Sequence, residues 1–477
     1  TIFGDLPITL FADSPVNFAV GAEYREFTAS QFADDASQAG EVVGGGAADP
    51  NFSGSYDVFD VYGELIIPVL EGVAFAENLT LELGGRYSNY ELSSNEFTWK
   101  VGATWEPTPG FSIRGNYQVA ARAPNIGELF FPVITGLDNL AVDPCAGAAP
   151  TTDPALAAVC IAQGAPAPIV NAGLIGQPPA GQINTTTGGN VNLDTEQATT
   201  WTVGFIAQPA AVPGLSLTVD YFNIRIEDAI GSPAIGDIIG GCYNSGNLDF
   251  GSNDFCQLVS RSSTTGEIAG AVNEVQGLIQ NLTNLGRIAT DGIDLQVNYG
   301  TDITDDIGIN FAFQGTWTNE NRFQAIDGDP NSLFRDCVGF FSTNCGSIQP
   351  EFVFNQRTTL NFLEDYSVSL RWRYLSGVEQ EPDDILNGNG EAFIGNSSVF
   401  GDVDFTEIPS ESYFDLTFQW DVLENILFTA TVTNLFDNQP AVVGSNIGTT
   451  AFNSGNIYPS TYDALGRRYN MGIRFSF

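Results

Sequence analysis

Apolar and polar residues alternate one by one through much of this chain. Across residues 413–422, Phe414, Leu416, Phe418, Trp420 and Val422 take one side, and Asp415, Thr417, Gln419 and Asp421 take the other. The pattern recurs in residues 97–105, 292–299, 309–317, 368–375 and 427–436. It also closes the sequence, where Tyr469, Met471, Ile473, Phe475 and Phe477 alternate with Asn470, Gly472, Arg474 and Ser476. Period two over such lengths predicts β-strands with one apolar and one polar face. The runs are of the longer kind, near the about 9 to 11 residues that a bilayer requires rather than the about 5 or 6 usual in soluble sheets. No long amphipathic helix stands out, and no unbroken apolar run reaches the about 20 residues of a membrane-crossing helix.

Such strands have two solutions. A sandwich buries the apolar face, whereas a membrane barrel turns it to lipid and keeps the polar face around a wet interior. The connections favour the barrel. Short turn signals at 106–110, 211–214, 301–306, 363–367 and 422–426 alternate with long irregular stretches at about 124–197, 229–290, 325–353, 380–411 and 438–466. Short turns on one rim and long loops on the other are the signature of an all-β, antiparallel transmembrane β-barrel. About fifteen strands are expected from the periodicity, the last running toward the short-turn rim. Trp99, Trp105, Trp201, Trp372 and Trp420 fall on the apolar face, some of them near strand ends, where an interfacial girdle belongs.

Composition narrows the function. There are 57 Asp and Glu against 16 Lys and Arg, for a net charge of -41. Such a chain offers phosphates no basic surface, so nucleic acid is not an expected partner. It contains no His, which removes the Ser/His/Asp triad, the Cys/His pair and His-ligated zinc or haem from this chain. No enzyme is expected. Six cysteines fall as three local pairs, Cys145 with Cys160, Cys242 with Cys256 and Cys337 with Cys345. All six lie in the long stretches, and their spacing suits disulfides in an oxidising compartment better than zinc.

Several segments resemble one family. Arg114–Phe130 reads RGNYQVAARAPNIGELF, and GGNVNLDTEQATTWTVGF, VDYFNIRIEDAI, GRIATDGIDLQVNYG, TVTNLFDNQP and YDALGRRYNMGIRFSF follow in order. Together they resemble the strand-and-loop motifs of TonB-dependent outer-membrane receptors over roughly residues 80 to 477. The resemblance implies the outer membrane of a Gram-negative bacterium, lipid around the wall and extracellular long loops. It also implies TonB-coupled uptake of a nutrient ligand such as a carbohydrate, a peptide or a metal chelate. The terminal Phe477 matches the feature that outer-membrane β-signals carry. Family barrels have twenty-two strands around a plug. The chain opens TIFGDLPITL, with no initiator Met or signal peptide. Residues 1–477 are therefore expected to be a C-terminal barrel portion lacking the plug, with the plug, first strands and TonB contact supplied elsewhere. A plugless surface assembly, adhesive or passive pore is the alternative.

On that reading Arg114, Gln118, Arg122, Arg357, Arg371 and Arg373 face the lumen as candidate ligand or plug contacts. Solvation of the lumen, or pairing with Asp220, Asp294 and Asp415, is their competing role. Phe130, Phe131, Tyr243, Phe340 and Phe341 are loop aromatics that could stack on a ligand or simply pack. No cofactor is expected. Residues 327–332 and 383–391 carry oxygen ligands suited to Ca²⁺, but neither has EF-hand spacing.

Overall fold

The computed structural model describes residues 1–42, 48–140, 142–327, 329, 332, 334–342, 345, 348–381, 394–397, 401–404, 406–443 and 457–476. Phe477, residues 383–391, and Gly328, Pro330 and Asn331 within 327–332 lie outside the described residues. Fifteen strands hydrogen-bond in sequence order along one continuous path: β1 (Ile2–Asp5), β2 (Asn17–Gln31), β3 (Phe52–Val73), β4 (Ala76–Tyr90), β5 (Glu96–Thr108), β6 (Phe111–Arg122), β7 (Glu196–Ala207), β8 (Leu215–Gly231), β9 (Thr283–Thr304), β10 (Ile307–Gln324), β11 (Phe352–Phe362), β12 (Tyr366–Leu375), β13 (Glu411–Leu423), β14 (Ile426–Thr433) and β15 (Arg468–Phe475). A sixteenth strand, Arg335–Asp336, adds to the upper end of β10. Every neighbouring pair on the path is antiparallel. Among the described residues β1 and β15 end the path and do not pair with each other.

The register carries the period-two pattern across the sheet. Trp372 stands opposite Phe414, and Arg371 opposite Asp415. Val203 stands between Gly115 and Tyr221, while its neighbour Thr202 stands beside Asn116. One face is thus a sheet of aliphatic and aromatic residues, and much of it is open: Val61, Val101, Ile113, Trp201 and Val203 are exposed. Aromatic contacts cross the strands on this face, Trp99 with Tyr117 at 5.4 Å, Trp201 with Tyr221 at 4.9 Å and Trp372 with Phe414 at 5.7 Å. Water would penalise such a surface, and lipid would not. Among the described residues no helix is long and apolar enough to cross a membrane.

Connections of very different length alternate between the two rims. Two residues join β3 to β4, and two join β5 to β6, β9 to β10 and β13 to β14. On the other rim, residues 123–195, 232–282, 325–351, 376–410 and 434–467 separate consecutive wall strands.

The first two of these long connections fold into a cap with its own core. Its sheet orders Val259–Ser260, Gly277–Ile279, Gln182–Thr187 and Ile134–Asn139, and one of its pairings is parallel. Val159, Val170, Ile183, Ile238, Phe255 and Leu278 are buried together there, with Phe323 of β10 packed against them. Gly277 takes a φ of 71°, and a Cβ at that position would overlap the Asn184 carbonyl, so only glycine fits without strain. All three cysteine pairs are bonded as disulfides, Cys145–Cys160, Cys242–Cys256 and Cys337–Cys345.

Candidate functional site

The polar face of the wall is the candidate site, because its charged side chains come from many strands and converge on one side. In β3 and β4, Asp60 sits opposite Ser88, and Arg86 opposite Tyr62. Asp60 is fully buried and accepts from Arg25 at 2.9 Å, from Arg86 Nε at 2.9 Å and from the Ser88 hydroxyl at 2.5 Å. Two guanidiniums and a hydroxyl thus hold a carboxylate that would otherwise be costly to bury. Beside them Lys100 lies 3.4 Å from Glu64. A hollow of about 650 Å³ opens here, lined by Arg25, Tyr62, Glu64, Arg86, Lys100 and Gln118 among others.

The candidate arginines divide into two kinds. Arg114 forms a forked pair with Asp220 at 2.6 and 2.9 Å. Arg122 reaches Glu196 at 2.6 Å and Glu128 at 2.9 Å. Glu128 also completes a capping box with Asn125 on the short helix Ile126–Phe130, so this ion pair ties the wall to the start of its longest connection. Arg373 donates to Asp415 at 3.1 and 3.2 Å and lies 3.5 Å from Asp463. Arg357 and Arg371 differ. The side chains that accept from them are neutral, the Ser369 hydroxyl at 2.8 Å and the Asn355 side-chain carbonyl at 2.7 Å. Asp294, a third expected carboxylate partner, accepts from Thr316 at 2.6 Å instead.

The loop aromatics are largely engaged in packing. Phe341 is buried in a second loop core with Tyr458 and Tyr462. Phe131 meets Phe52 edge-on at 5.5 Å, and Phe130 covers Gly54 of β3. Tyr243 packs into the cap core and donates to Gln163 at 2.6 Å, and burial pushes its phenol above the usual range. Phe340 is half-buried on a two-residue strand, Phe340–Phe341. Sequence reasoning missed the Arg25–Asp60–Arg86 cluster. The signal was present as charged residues at inward positions of β2, β3 and β4, but only the register shows that they meet. Among the described residues no group of three or more acidic or thiol side chains is arranged to hold a metal.

The sequence profile for the β-barrel of TonB-dependent receptor-like proteins matches residues 2–435. The chain belongs to the TonB-dependent receptor family. Members of this family are transporters rather than enzymes, and are β-barrels of the Gram-negative outer membrane. Solved structures with the same fold include a variant of the ferric enterobactin receptor of Pseudomonas aeruginosa, 14% identical with a TM-score of 0.56 over 99% of this chain and 52% of that one. A siderophore receptor of Acinetobacter baumannii is 14% identical, with a TM-score of 0.55 over 99% and 53%. The FrpB iron transporter of Neisseria meningitidis is also 14% identical, with a TM-score of 0.51 over 97% and 52%. This TonB-dependent receptor chain therefore spans about half the length of these solved relatives. No curated protein matches it.

Proposed function

We propose that the chain supplies wall and extracellular loops to a receptor that takes up a nutrient ligand with energy delivered through TonB. The observation that carries this reading is the family match over residues 2–435, on a sheet whose inner face is polar and cross-braced by ion pairs. Transport requires such a face, because a solute crossing the membrane needs hydrogen-bonding and charged groups to replace water. TonB coupling would act through a plug, which on this reading belongs to the remainder of the receptor. The solved relatives named for siderophores and iron make a metal chelate the first ligand class to test. A carbohydrate or a peptide follows, because the strongly acidic chain gives an anionic chelate no general attraction.

The test is uptake by cells producing the receptor, offered a labelled ferric catecholate, a maltooligosaccharide or a tripeptide. Accumulation of one probe that collapses with a protonophore, or on deletion of TonB, supports the reading. Entry that continues without TonB would overturn the coupling and favour a passive pore.

A further inference from the structure

We propose that Arg357 and Arg371 form an anion site on the inner wall that receives a carboxylate-bearing group. The two arginines are direct cross-strand partners on β11 and β12, an arrangement in which like charges destabilise a sheet. A chain with 57 acidic residues and 16 basic ones has ample means to neutralise them. It does so elsewhere on the same face, where Arg25, Arg86, Lys100, Arg114 and Arg122 each lie within 3.4 Å of a carboxylate. Asp415 stands opposite Arg371 in register, yet its oxygens accept from Arg373 and from the Asn434 amide at 2.9 Å. Among the described residues no carboxylate forms an ion pair with Arg357 or Arg371.

The register also builds the receptacle. One row across the wall runs Asn298, Ala312, Arg357, Arg371, and the next runs Gln296, Gln314, Asn355, Arg373. Ala312 is the smallest side chain in these rows, and a hollow of about 250 Å³ opens around it. Its lining includes Gln296, Asn298, Gln314, Asn355, Arg357 and Arg371, and no carboxylate. Guanidinium forks bind carboxylates through paired charge-assisted hydrogen bonds, and the amides add neutral donors around them. The site therefore suits a carboxylate, whose paired oxygens match a guanidinium fork. Its source is either a carboxylate-bearing ligand travelling the route, which rests on the transport reading above, or an acidic side chain from the rest of the receptor.

Citrate is the probe. Titrated calorimetrically into the 477-residue chain in detergent micelles at low salt, it should bind saturably and weaken as salt rises. Arg357→Gln and Arg371→Gln should each lower the affinity at least about ten-fold, while Arg474→Gln on β15 leaves it unchanged. Heat-dependent gel mobility verifies that each variant keeps its sheet. Without any variant, citrate should protect Arg357 and Arg371 from phenylglyoxal, read by peptide mass spectrometry. Absence of saturable binding, or binding and protection indifferent to both arginines, overturns the proposal. Citrate binding that persists in the receptor purified whole from the outer membrane assigns the site to a travelling ligand. Binding to the chain but not to the whole receptor assigns it to an internal carboxylate. Uptake without TonB beside intact citrate binding refutes the transport reading alone, and the converse refutes this inference alone.

Discussion

At the scale of single residues, the ion pair of Arg261 with Asp143 has the most at stake. Both side chains are buried, joined by hydrogen bonds of 2.7 and 2.8 Å, and Gln163 and Tyr243 accept further bonds from the same guanidinium. Removing one partner strands a buried charge, at a cost of about 3 to 5 kcal/mol. Asp143→Asn is therefore expected to open the cap to limited proteolysis at temperatures where the parent resists, with the wall strands still protected. Asp194 gives a pH-dependent counterpart. Its burial opposes ionisation, but the Ser94 hydroxyl and amide, at 2.6 and 2.7 Å, and the Thr195 amide outweigh it and hold the carboxyl below its ordinary value. A depressed folded-state pKa contributes stability above the unfolded value, about 3.9, and loses it as pH falls through the folded one. Protection of the Ser94 amide from hydrogen exchange, corrected for intrinsic rate, should be level above about pH 5 and decline below about pH 4. In Asp194→Asn the decline should vanish.

At the scale of elements, the wall was legible and the cap was not. Alternation alone set Phe414 and Trp420 on one face and Asp415 and Gln419 on the other, because a residue's side of a sheet depends only on parity along its own strand. Partners are a different matter. Arg114 and Asp220 lie 106 residues apart, and Arg261 and Asp143 lie 118 apart; nothing local in either stretch announces the other. The cap's two-, three- and six-residue strands are too short to show a period, and its parallel pairing joins two different connections. For the candidate site, the sequence placed Arg357 and Arg371 on the polar face but could not show that they oppose each other while Asp415 serves Arg373. The cysteines were the exception, since neighbours in sequence needed no long-range information to be paired. The Cys145–Cys160 and Cys242–Cys256 disulfides close loops of 15 and 14 residues, for which loss of the cross-link costs about 3 kcal/mol each in the chain-entropy account. Reduction should raise hydrogen exchange in Gln182–Thr187 and Gly277–Ile279 while leaving β9 and β10 unchanged.

At the scale of the whole molecule, the two faces answer to two solvents. Val203 and Thr202 are adjacent on β7 but open to opposite sides. A lysine at Val203 should cost about 2 to 4 kcal/mol of folding stability in lipid if it lies near the midplane, and a lysine at Thr202 much less. Urea titration of the two variants in lipid vesicles, read by gel mobility, checks this; equal costs would mean that the apolar face is not the one that meets lipid.

The disulfides also bear on assembly. Each one begins and ends inside a single connection, at separations of 15, 14 and 8 residues, and none bridges two wall strands across a connection boundary. Oxidation therefore need not wait for the sheet. A chain in transit can close all three rings while its wall strands are unpaired, and no ring contains a wall strand. The timetable of thiol oxidation and that of membrane insertion are uncoupled by where the cysteines sit.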